Sequence, residues 1–270
     1  MSAAGLRAVA AAGREPFIRL RSIRKVYRAA GQELLAVSDV TMTLDEGEML
    51  SLVGPSGCGK TTVLKMLAGL LPPDGGEAVI GSAARPFDPG RDVGMVFQQP
   101  LLLKWRTVLE NVLLPAEIIG LPIAPARERA RELLRMVGLS GYETKYPHQL
   151  SGGMQQRAAI ARALVHDPKL ILMDEPFAAL DALTREQMNL ELLRIWSASG
   201  KTIVFVTHSI PEAVFLGTQC AVLTAGPARM ADVFPIEIAY PRTIDIMTTP
   251  AFGAYTRRIY KQLGVATSTG

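Results

Sequence analysis

The chain has few cysteines, few aromatic residues and no long hydrophobic run. Its two cysteines, Cys58 and Cys220, give no disulfide framework and no metal-ligand spacing, which fits a reducing compartment best. Its longest apolar runs, such as Leu170 to Met173 and Ile203 to Val206, are far shorter than the roughly 18 residues that suggest a transmembrane helix. We therefore expect no segment of this sequence to cross a bilayer unaided.

A strong charge of either sign is also missing. The net charge is +4 over 270 residues, and the lysines and arginines are scattered rather than gathered into a stripe. This pattern is typical of an ordinary solvated surface and does not indicate a nucleic-acid partner. A hydrophobic content of 49% is ordinary for a globular protein, and the length allows one large or two small α/β domains. Residues 1–14 are Ala-rich without a sustained apolar core or cleavage site, so we expect a disordered tail.

The most informative stretch is LVGPSGCGKTTVLKML at residues 52–67, which fills the phosphate-loop pattern G-x-x-x-x-G-K-[ST] between an apolar run and a helical period. Its glycines allow backbone N–H groups to surround a phosphate at the positive end of the helix. A glycine-rich turn that binds nothing is the alternative, which the strand-loop-helix context disfavours. We expect Lys60 to reach the β- and γ-phosphates and the Thr61 hydroxyl to ligate Mg²⁺. The expected nucleotide-binding residues are Gly54, Pro55, Ser56, Gly57, Cys58, Gly59, Lys60, Thr61 and Thr62.

An antiparallel β layer is predicted before this loop. The segments FIRLRSIRKVY and LLAVSDVTMTL, within residues 17–48, alternate partly between apolar and polar residues, with a turn at Gly31 between them. Tyr27 lies near the end of the first strand, where by itself it would be a half-buried aromatic residue. Asp45 to Glu48 is predicted to be a tight turn that leads into the phosphate-loop strand.

Helices dominate the middle of the chain. A helix over Thr61 to Leu70 is followed by a predicted turn at Asp74 to Gly76 and a buried strand over Val93 to Phe97. Beyond this strand the helical segments are punctuated by prolines, and the clearest of them spans Pro125 to Val137. We interpret residues 99–160 as an inserted helical subdomain. The apolar stripe of its clearest helix comprises Ala130, Leu133, Leu134 and Val137.

Two further buried strands end in polar residues. The run that starts at Leu170 ends in Asp174 and Glu175, as expected for a parallel strand that places acids at the carboxyl edge of a sheet. In a phosphate-loop enzyme this Asp helps to hold Mg²⁺, and the Glu is a candidate to orient or deprotonate an attacking water. Solvated acids at a strand-to-turn junction are the alternative. The strand from Lys201 ends in His208, and a lone histidine there is more often structural than catalytic.

The stretch LSGGMQQR at residues 150–157 precedes another helical period, and by itself it could be a helix N-cap at Ser151. Together, these features resemble the ATP-binding cassette family from Phe17 to about Met230, in the family's order. Tyr27 matches the aromatic residue that stacks on adenine, residues 54–61 match Walker A, Gln98 matches the Q-loop glutamine, and residues 150–157 match the LSGGQ signature with Met154 in the Gln slot. Asp174 and Glu175 match Walker B, residues 179–181 match the D-loop, and His208 matches the switch histidine.

The resemblance implies a fold and a division of the chain. The fold is an α/β phosphate-loop NTPase core, a mostly parallel sheet with flanking helices, to which an antiparallel β layer and a helical subdomain are added. The ATPase domain would span residues 15–230. Residues 231–270 would be a C-terminal extension of the same domain, too short for the regulatory barrel of sugar-importing relatives.

The resemblance also implies a reaction that needs ATP, Mg²⁺ and two chains. In the family two cassettes pack head to tail, so that ATP on one phosphate loop meets the signature of the other cassette. Glu175 would position the attacking water, and His208 would contact the γ-phosphate. Gln98 would sense Mg²⁺ and nucleotide. The expected metal contacts are Thr61, Gln98 and Asp174, and the remaining nucleotide contacts are Ser151, Gly152, Gly153 and Asp181.

Separate-chain cassettes of this family are mostly subunits of bacterial importers. Such a subunit would sit on the cytoplasmic face of the membrane against a permease, which an external solute-binding protein supplies; the second cassette is expected to be a copy of this chain or a paralogue. Two segments, VFQQPLLLKWRTVLENV and PRTIDIMTTPAFGAYTRRIYKQL, are similar to the subgroup that imports nitrate, sulfonates or taurine. Lys104 and Ala178 depart from the residues common there. The apolar residues 101–103 with Trp105 are either part of the permease groove or core of the helical subdomain.

Two other functions stay open at this point. One is a soluble cassette ATPase that acts on DNA or ribosomes, although that class usually has tandem cassettes or a long coiled-coil insertion. The other is a phosphate-loop kinase with an accidental LSGGM. A separate expectation concerns Cys58, which lies at a helix N-terminus where a thiolate is favoured, so we expect its alkylation to block hydrolysis and MgATP to protect it. Cys220 is expected to be an inert core residue.

Overall fold

Short apolar segments of this sequence form the strands of one sheet in the computed structural model, which describes residues 15–29, 32–81 and 87–264. The expected tail at 1–14 and the expected turn at Gly31 lie outside the described residues. The strands are β1 (Ile18–Ala29), β2 (Gln32–Leu44), β3 (Met49–Val53), β4 (Gly75–Ile80), β5 (Val93–Val96), β6 (Leu170–Asp174), β7 (Thr202–Thr207), β8 (Gln219–Leu223) and β9 (Ala228–Pro235).

The strand order in the described part of the chain is β4-β1-β2-β9-β8-β3-β7-β6-β5. From β5 to β8 every neighbouring pair is parallel, whereas β1 pairs with β2 and β4 in the antiparallel sense. All residues of β3 and β7 are buried, as expected for parallel strands that have helices on both faces. The fold class predicted from the sequence is confirmed: a mostly parallel core with an added antiparallel layer.

Eight helices flank the sheet in the described residues. They are α1 (Lys60–Leu67), α2 (Pro89–Asp92), α3 (Val108–Ile118), α4 (Ile123–Met136), α5 (Gly152–Leu164), α6 (Ala182–Ser199), α7 (Ile210–Leu216) and α8 (Pro250–Gln262), with 3₁₀ turns at Pro147–Gln149 and Ile244–Thr248. The predicted stripe of α4 is buried, because Ala130, Leu133, Leu134 and Val137 are each at most 5% exposed. Across residues 15–29, 32–81 and 87–264, no helix is both long and apolar enough to span a membrane.

Two hydrophobic cores lie on the two faces of the sheet. One is built from α1 and the antiparallel layer, with residues such as Ile23, Val40 and Leu64. The other joins α3 to α8 and includes Phe205 and Phe252. Because α8 contributes to this second core, the C-terminal segment packs on the same sheet as the phosphate loop.

The turn predicted at Asp74 to Gly76 is only partly right. Asp74 is in a bend, but Gly75 and Gly76 already belong to β4, which pairs with β1. Gly76 has φ +81°, and a Cβ there would lie 2.3 Å from the Ser22 carbonyl oxygen, so the glycine is needed for the close approach of two strands. The sequence pattern predicts a turn at Gly76, whereas in the structure this glycine allows two strands to pair closely.

Candidate nucleotide-binding site

The phosphate loop connects β3 to α1 at the carboxyl edge of the parallel strands. Gly59 precedes α1 with φ +111°, and a Cβ there would lie 2.8 Å from the Ala36 carbonyl oxygen. A side chain at this position would be strained in its backbone and would also clash with β2. The sequence therefore folds locally into the strand, loop and helix that its motif predicts, with the first turn of α1 open to a ligand's negative charge.

Lys60 lies at the centre of this edge. Its side chain is 5% exposed, and its ammonium group donates hydrogen bonds to the carbonyl oxygens of Gly54 at 2.9 Å and Pro55 at 3.0 Å. Its ammonium nitrogen lies 3.6 Å from a carboxylate oxygen, Oε1 of Glu175. A buried cation whose partners are two neutral carbonyls and one distant carboxylate has room for a closer anion.

Thr61 and Asp174 meet where α1 begins and β6 ends. The Thr61 hydroxyl donates to the Asp174 carboxylate, at 3.0 Å from Oδ2 and 3.3 Å from Oδ1. Burial raises the pKa of Asp174, and the hydrogen bond from Thr61 opposes this increase. A hydroxyl and a carboxylate are oxygen ligands of the kind that Mg²⁺ uses beside substrate phosphates, so these residues fit a magnesium ion.

Glu175 and His208 face each other from the ends of adjacent strands. His208 Nδ1 lies 2.8 Å from Glu175 Oε2, and Glu175 donates its backbone N–H to the Val206 carbonyl at 3.0 Å. Glu175 has φ +46°, a left-handed backbone that a non-glycine residue rarely adopts and that occurs often at functional sites. The register of β6 with β7 thus brings the carboxylate and the imidazole together beyond the sheet edge.

The other predicted site residues lie on further elements of the fold. The Tyr27 hydroxyl is 3.3 Å from the Thr62 hydroxyl, so the end of β1 contacts α1. Gln98 is exposed just after β5. Ser151 accepts a hydrogen bond from the Met154 N–H and caps α5, and Asp181 accepts one from the Thr184 N–H and caps α6.

The structure corrects the expectation of a reactive thiol at Cys58. Cys58 is 2% exposed and belongs to the core that contains α1. Burial raises the pKa of Cys58 above its ordinary value, and the charge of Lys60 only partly opposes this. The predicted reactivity of this thiol is wrong, because burial outweighs the favourable charge at the helix terminus. Cys220 is fully buried and burial raises its pKa as well, as expected for an inert thiol.

Two groups of residues near the site were not predicted from the sequence. Glu212 on α7 is buried and accepts a hydrogen bond from the Thr207 hydroxyl at 2.6 Å. The only local signal was its position three residues after Ser209, the spacing of a helix cap. Asp74 accepts a hydrogen bond from the Val26 N–H at 2.7 Å, next to Tyr27, although the two are far apart in sequence.

A mostly parallel sheet with a phosphate loop, a magnesium-type Thr–Asp pair and a Glu–His pair at one edge defines a phosphate-loop nucleoside triphosphatase. The family model described as ABC transporter matches residues 37–178, more than half of the chain. The chain belongs to the ATP-binding cassette (ABC) transporter family, and it is an ABC-type ATPase.

Curated relatives match most of the chain. An uncharacterized ABC transporter ATP-binding protein of Methanocaldococcus jannaschii is 45% identical over 90% of this chain and 89% of its own length. The taurine import ATP-binding protein TauB of Escherichia coli K12 is 45% identical over 76% of this chain and 80% of its own length.

Solved structures of cassettes have the same fold. The ATP-binding cassette MJ0796, in a dimeric post-hydrolysis state bound to ADP and Pi, is 34% identical with a TM-score of 0.69, and the match covers 82% of this chain and 99% of that chain. The cassette cbiO1 of Clostridium perfringens has a TM-score of 0.74 at 23% identity, covers 93% of this chain and 97% of that chain, and supports the fold alone.

Proposed function

We propose that this chain is the energy-coupling subunit of an importer for a small solute of the nitrate, sulfonate or taurine type. The observation that carries the proposal is the convergence of Lys60, Thr61, Asp174, Glu175 and His208 at one sheet edge, in a chain 45% identical to a taurine import ATP-binding protein over 80% of the latter's length. The relative supplies the solute class, and the site supplies the chemistry.

In the proposed reaction, Lys60 binds the β- and γ-phosphates of ATP, and Tyr27 stacks on the adenine ring. Thr61 and Asp174, with Gln98, would hold Mg²⁺, which when bound neutralises phosphate charge and orients the phosphates. Glu175 and His208 would act on the attacking water and on the γ-phosphate. Most of the acceleration comes from positioning and charge stabilisation.

Glu175 accepts a hydrogen bond from a water whose oxygen attacks the γ-phosphorus. The bond between the γ-phosphorus and the β–γ bridging oxygen breaks, the electron pair leaves with ADP, and the water proton passes to Glu175 or to the phosphate formed. His208 contacts Glu175 through Nδ1, and its other ring nitrogen would contact a γ-phosphate oxygen. The 2.8 Å contact between these side chains supports this division of roles.

The second half of each site would come from another cassette in a head-to-tail dimer. Ser151, Gly152 and Gly153 form the first turn of α5, which is suited to a γ-phosphate by the same anion logic as α1. The hydrogen bond of Ser151 is to its own helix end, and Asp181 likewise caps α6. The caps therefore hold Ser151 and Asp181 in place within one chain, before a second cassette would bind. The dimeric state of the related cassette MJ0796 supports a two-chain enzyme.

The permease would dock on the apolar surface beside Gln98. A cleft of about 350 Å³ there is lined by residues that include Phe97, Leu101 and Ile118. Leu101 is 55% exposed and Trp105 is 74% exposed, so neither is a core residue, whereas Leu102 packs against the core that joins α3 to α8. An amphipathic permease helix would cover this surface and hold the subunit on the cytoplasmic face of the membrane.

The reaction is tested by Glu175→Gln, with Glu132→Gln as the matched control because Glu132 is exposed on α4. We expect Glu175→Gln to stop hydrolysis and to accumulate with MgATP as a nucleotide-bound dimer in light scattering, whereas the control hydrolyses ATP like the wild type. Hydrolysis by Glu175→Gln at the wild-type rate would show that the base assignment is wrong.

Coupling to a membrane partner is tested separately. The double variant Trp105→Ser/Ile118→Ser should lose co-purification with membranes of the source cells while keeping ATPase activity in solution. Leu70→Ser is the control, since Leu70 is also exposed but lies after α1. If the wild-type chain does not co-purify with membranes, or if detergent does not release it from them, the alternative is favoured. That alternative is a soluble cassette ATPase that is not coupled to transport.

A further inference from the structure

An ion pair with a buried carboxylate joins the two loops that carry Asp181 and His208. Arg185 on α6 and Glu212 on α7 approach with Nε 3.5 Å from Oε1, and the Glu212 side chain is only 7% exposed. A buried carboxylate is costly unless it is paired and hydrogen-bonded. None of the sequence motifs includes either residue, so the pair is unexplained by the roles given above.

Arg185 donates hydrogen bonds to the backbone of the loop that leads to Asp181. Its Nε donates to the Phe177 carbonyl at 3.3 Å, and its Nη2 donates to the Leu180 carbonyl at 2.8 Å. Both carbonyls belong to the loop at residues 175–181, which begins at Glu175 and ends at Asp181. The planar guanidinium therefore fixes two points of that loop, which a flexible ammonium could not do.

Glu212 holds the loop that carries His208. Its Oε2 accepts a hydrogen bond from the Thr207 hydroxyl at 2.6 Å, and the same hydroxyl accepts one from the Ser209 N–H at 2.9 Å. His208 lies between these two residues. Burial raises the pKa of Glu212, while the Thr207 hydroxyl and the charge of Arg185 favour the ionised form. Glu212 is thus tied by hydrogen bonds to the turn at His208 and by charge to Arg185.

We propose that Arg185 and Glu212 are positioning residues that hold the Asp181 loop and the His208 loop in one fixed register for hydrolysis. In this proposal the pair acts through Glu175 and His208. This inference rests on the proposed roles of those two residues. If it holds, a change in the dimer partner's contact at Asp181 reaches His208 through two side chains.

A double-mutant cycle on the intact protein tests the proposal. Arg185→Met keeps the side-chain length and removes the charge, and Glu212→Gln keeps an acceptor for Thr207. We expect each single variant to lower kcat roughly tenfold, the double variant to lower it by about the same factor, and KM for ATP to stay within about twofold. Non-additivity is expected because either change alone already disconnects the two loops.

The matched control is the ion pair of Arg258 with Asp232, in which Nε lies 2.8 Å from Oδ2. This pair joins α8 to β9, away from the loops of the site. Arg258→Met and Asp232→Asn should lower the melting temperature but leave kcat within about twofold of the wild type, measured well below melting. A pair with a merely structural role at Arg185 would behave in the same way.

Arg185→Lys keeps the proposal testable should Arg185→Met fail to fold. Lysine retains a charge for Glu212 but cannot donate to two separate carbonyls in the arginine geometry. We expect near wild-type stability with a reduced kcat. Wild-type kcat in Arg185→Lys and Glu212→Gln, or losses that multiply in the double variant, would overturn the proposal. If Glu175→Gln still hydrolysed ATP, the proposed site would fail instead, so the two failures are distinguishable.

Discussion

Two buried cations in this molecule have opposite surroundings. Lys60, in the phosphate loop, donates to two carbonyl oxygens and has a carboxylate oxygen 3.6 Å away. Arg242, between β9 and α8, is 3% exposed and its guanidinium lies 3.9 Å from the centre of the Tyr240 ring. Its N–H groups make six hydrogen-bond contacts, one N–H being shared, with the carbonyl oxygens of Val214, Phe215, Gly217, Ile236 and Ile238.

The difference separates a structural cation from a binding one. Arg242 uses its donors on the orphan carbonyls at the end of α7 and on the segment after β9, so its environment is complete. Lys60 is as deeply buried, yet its partners are weaker and fewer. Burial alone would rank the two residues alike. What distinguishes them is how much of the charge the protein itself satisfies, and the incomplete case marks the ligand site.

The largest expected effect comes from Lys60→Met. Because the phosphate would lose the one buried cation that the loop offers it, we expect kcat to fall by roughly 10³-fold. Stability in urea should stay close to that of the wild type, since methionine keeps the apolar stem and removes a poorly satisfied charge. ATP turnover and urea midpoints are the two measurements. A large loss of stability with little loss of turnover would make Lys60 structural and end the comparison.

Arg242→Met should show the reverse pattern. We expect a loss of about 3 kcal/mol in the free energy of unfolding, because several buried carbonyls lose their donors at once. The kcat of the folded fraction should stay near the wild-type value. Arg242→Lys serves as the intermediate variant. Its loss of stability should be smaller than that of Arg242→Met, because the three donors of lysine replace only part of the hydrogen bonds. Equal stability of all three proteins in urea would contradict the structural role of Arg242.

A smaller effect is expected at Asp74, which holds the strand before Tyr27. The Val26 N–H and the Lys25 ammonium hold the pKa of Asp74 below its ordinary range, and Asp74 also donates its N–H to the Arg24 carbonyl. Asp74→Asn keeps the shape but loses the ionic contact, so Tyr27 is held less firmly.

For Asp74→Asn we expect KM for ATP to rise about threefold to fivefold with kcat unchanged, because only the proposed adenine contact of Tyr27 is loosened. Steady-state kinetics measure both quantities. Asp39→Asn is the control, since Asp39 is an exposed carboxylate of β2. A fall in kcat without a rise in KM would show that Asp74 acts on the chemistry and not through Tyr27.

The site's polar residues could be predicted from the sequence because short motifs determine their placement. Apolar runs that end in Asp174 and His208 read directly as parallel strands, and parallel strands bring their carboxyl ends to one edge. The phosphate loop is equally local. In each case neighbours along the chain supply both the structure and the chemistry.

The remaining features depend on contacts between distant residues, which a single sequence does not encode visibly. Arg242 meets carbonyls 25 to 28 residues earlier in the chain, and Arg185 meets Glu212 across two helices. Strands β8 and β9 and helix α8 were not predicted. The burial of Cys58 was missed for a similar reason, because the core that contains it is assembled from strands far apart in the chain, from β1 to β9.

The smallest expected effect concerns the two thiols, one in each region. Cys58 is 2% exposed in the phosphate loop and Cys220 is 0% exposed in β8, and burial raises the pKa of both. Alkylation of the native protein should therefore be slow at both sites and fast at both after unfolding in urea.

Cys58 should react faster than Cys220, because a loop opens locally more readily than a central strand. MgATP should slow Cys58 alone, since Cys58 lies in the proposed nucleotide site and Cys220 lies in β8; mass spectrometry of each peptide over time measures this. Equal slowing of both thiols would mean that ATP acts by stabilising the whole fold, and rapid labelling of Cys58 would mean that the loop is more open than its burial implies.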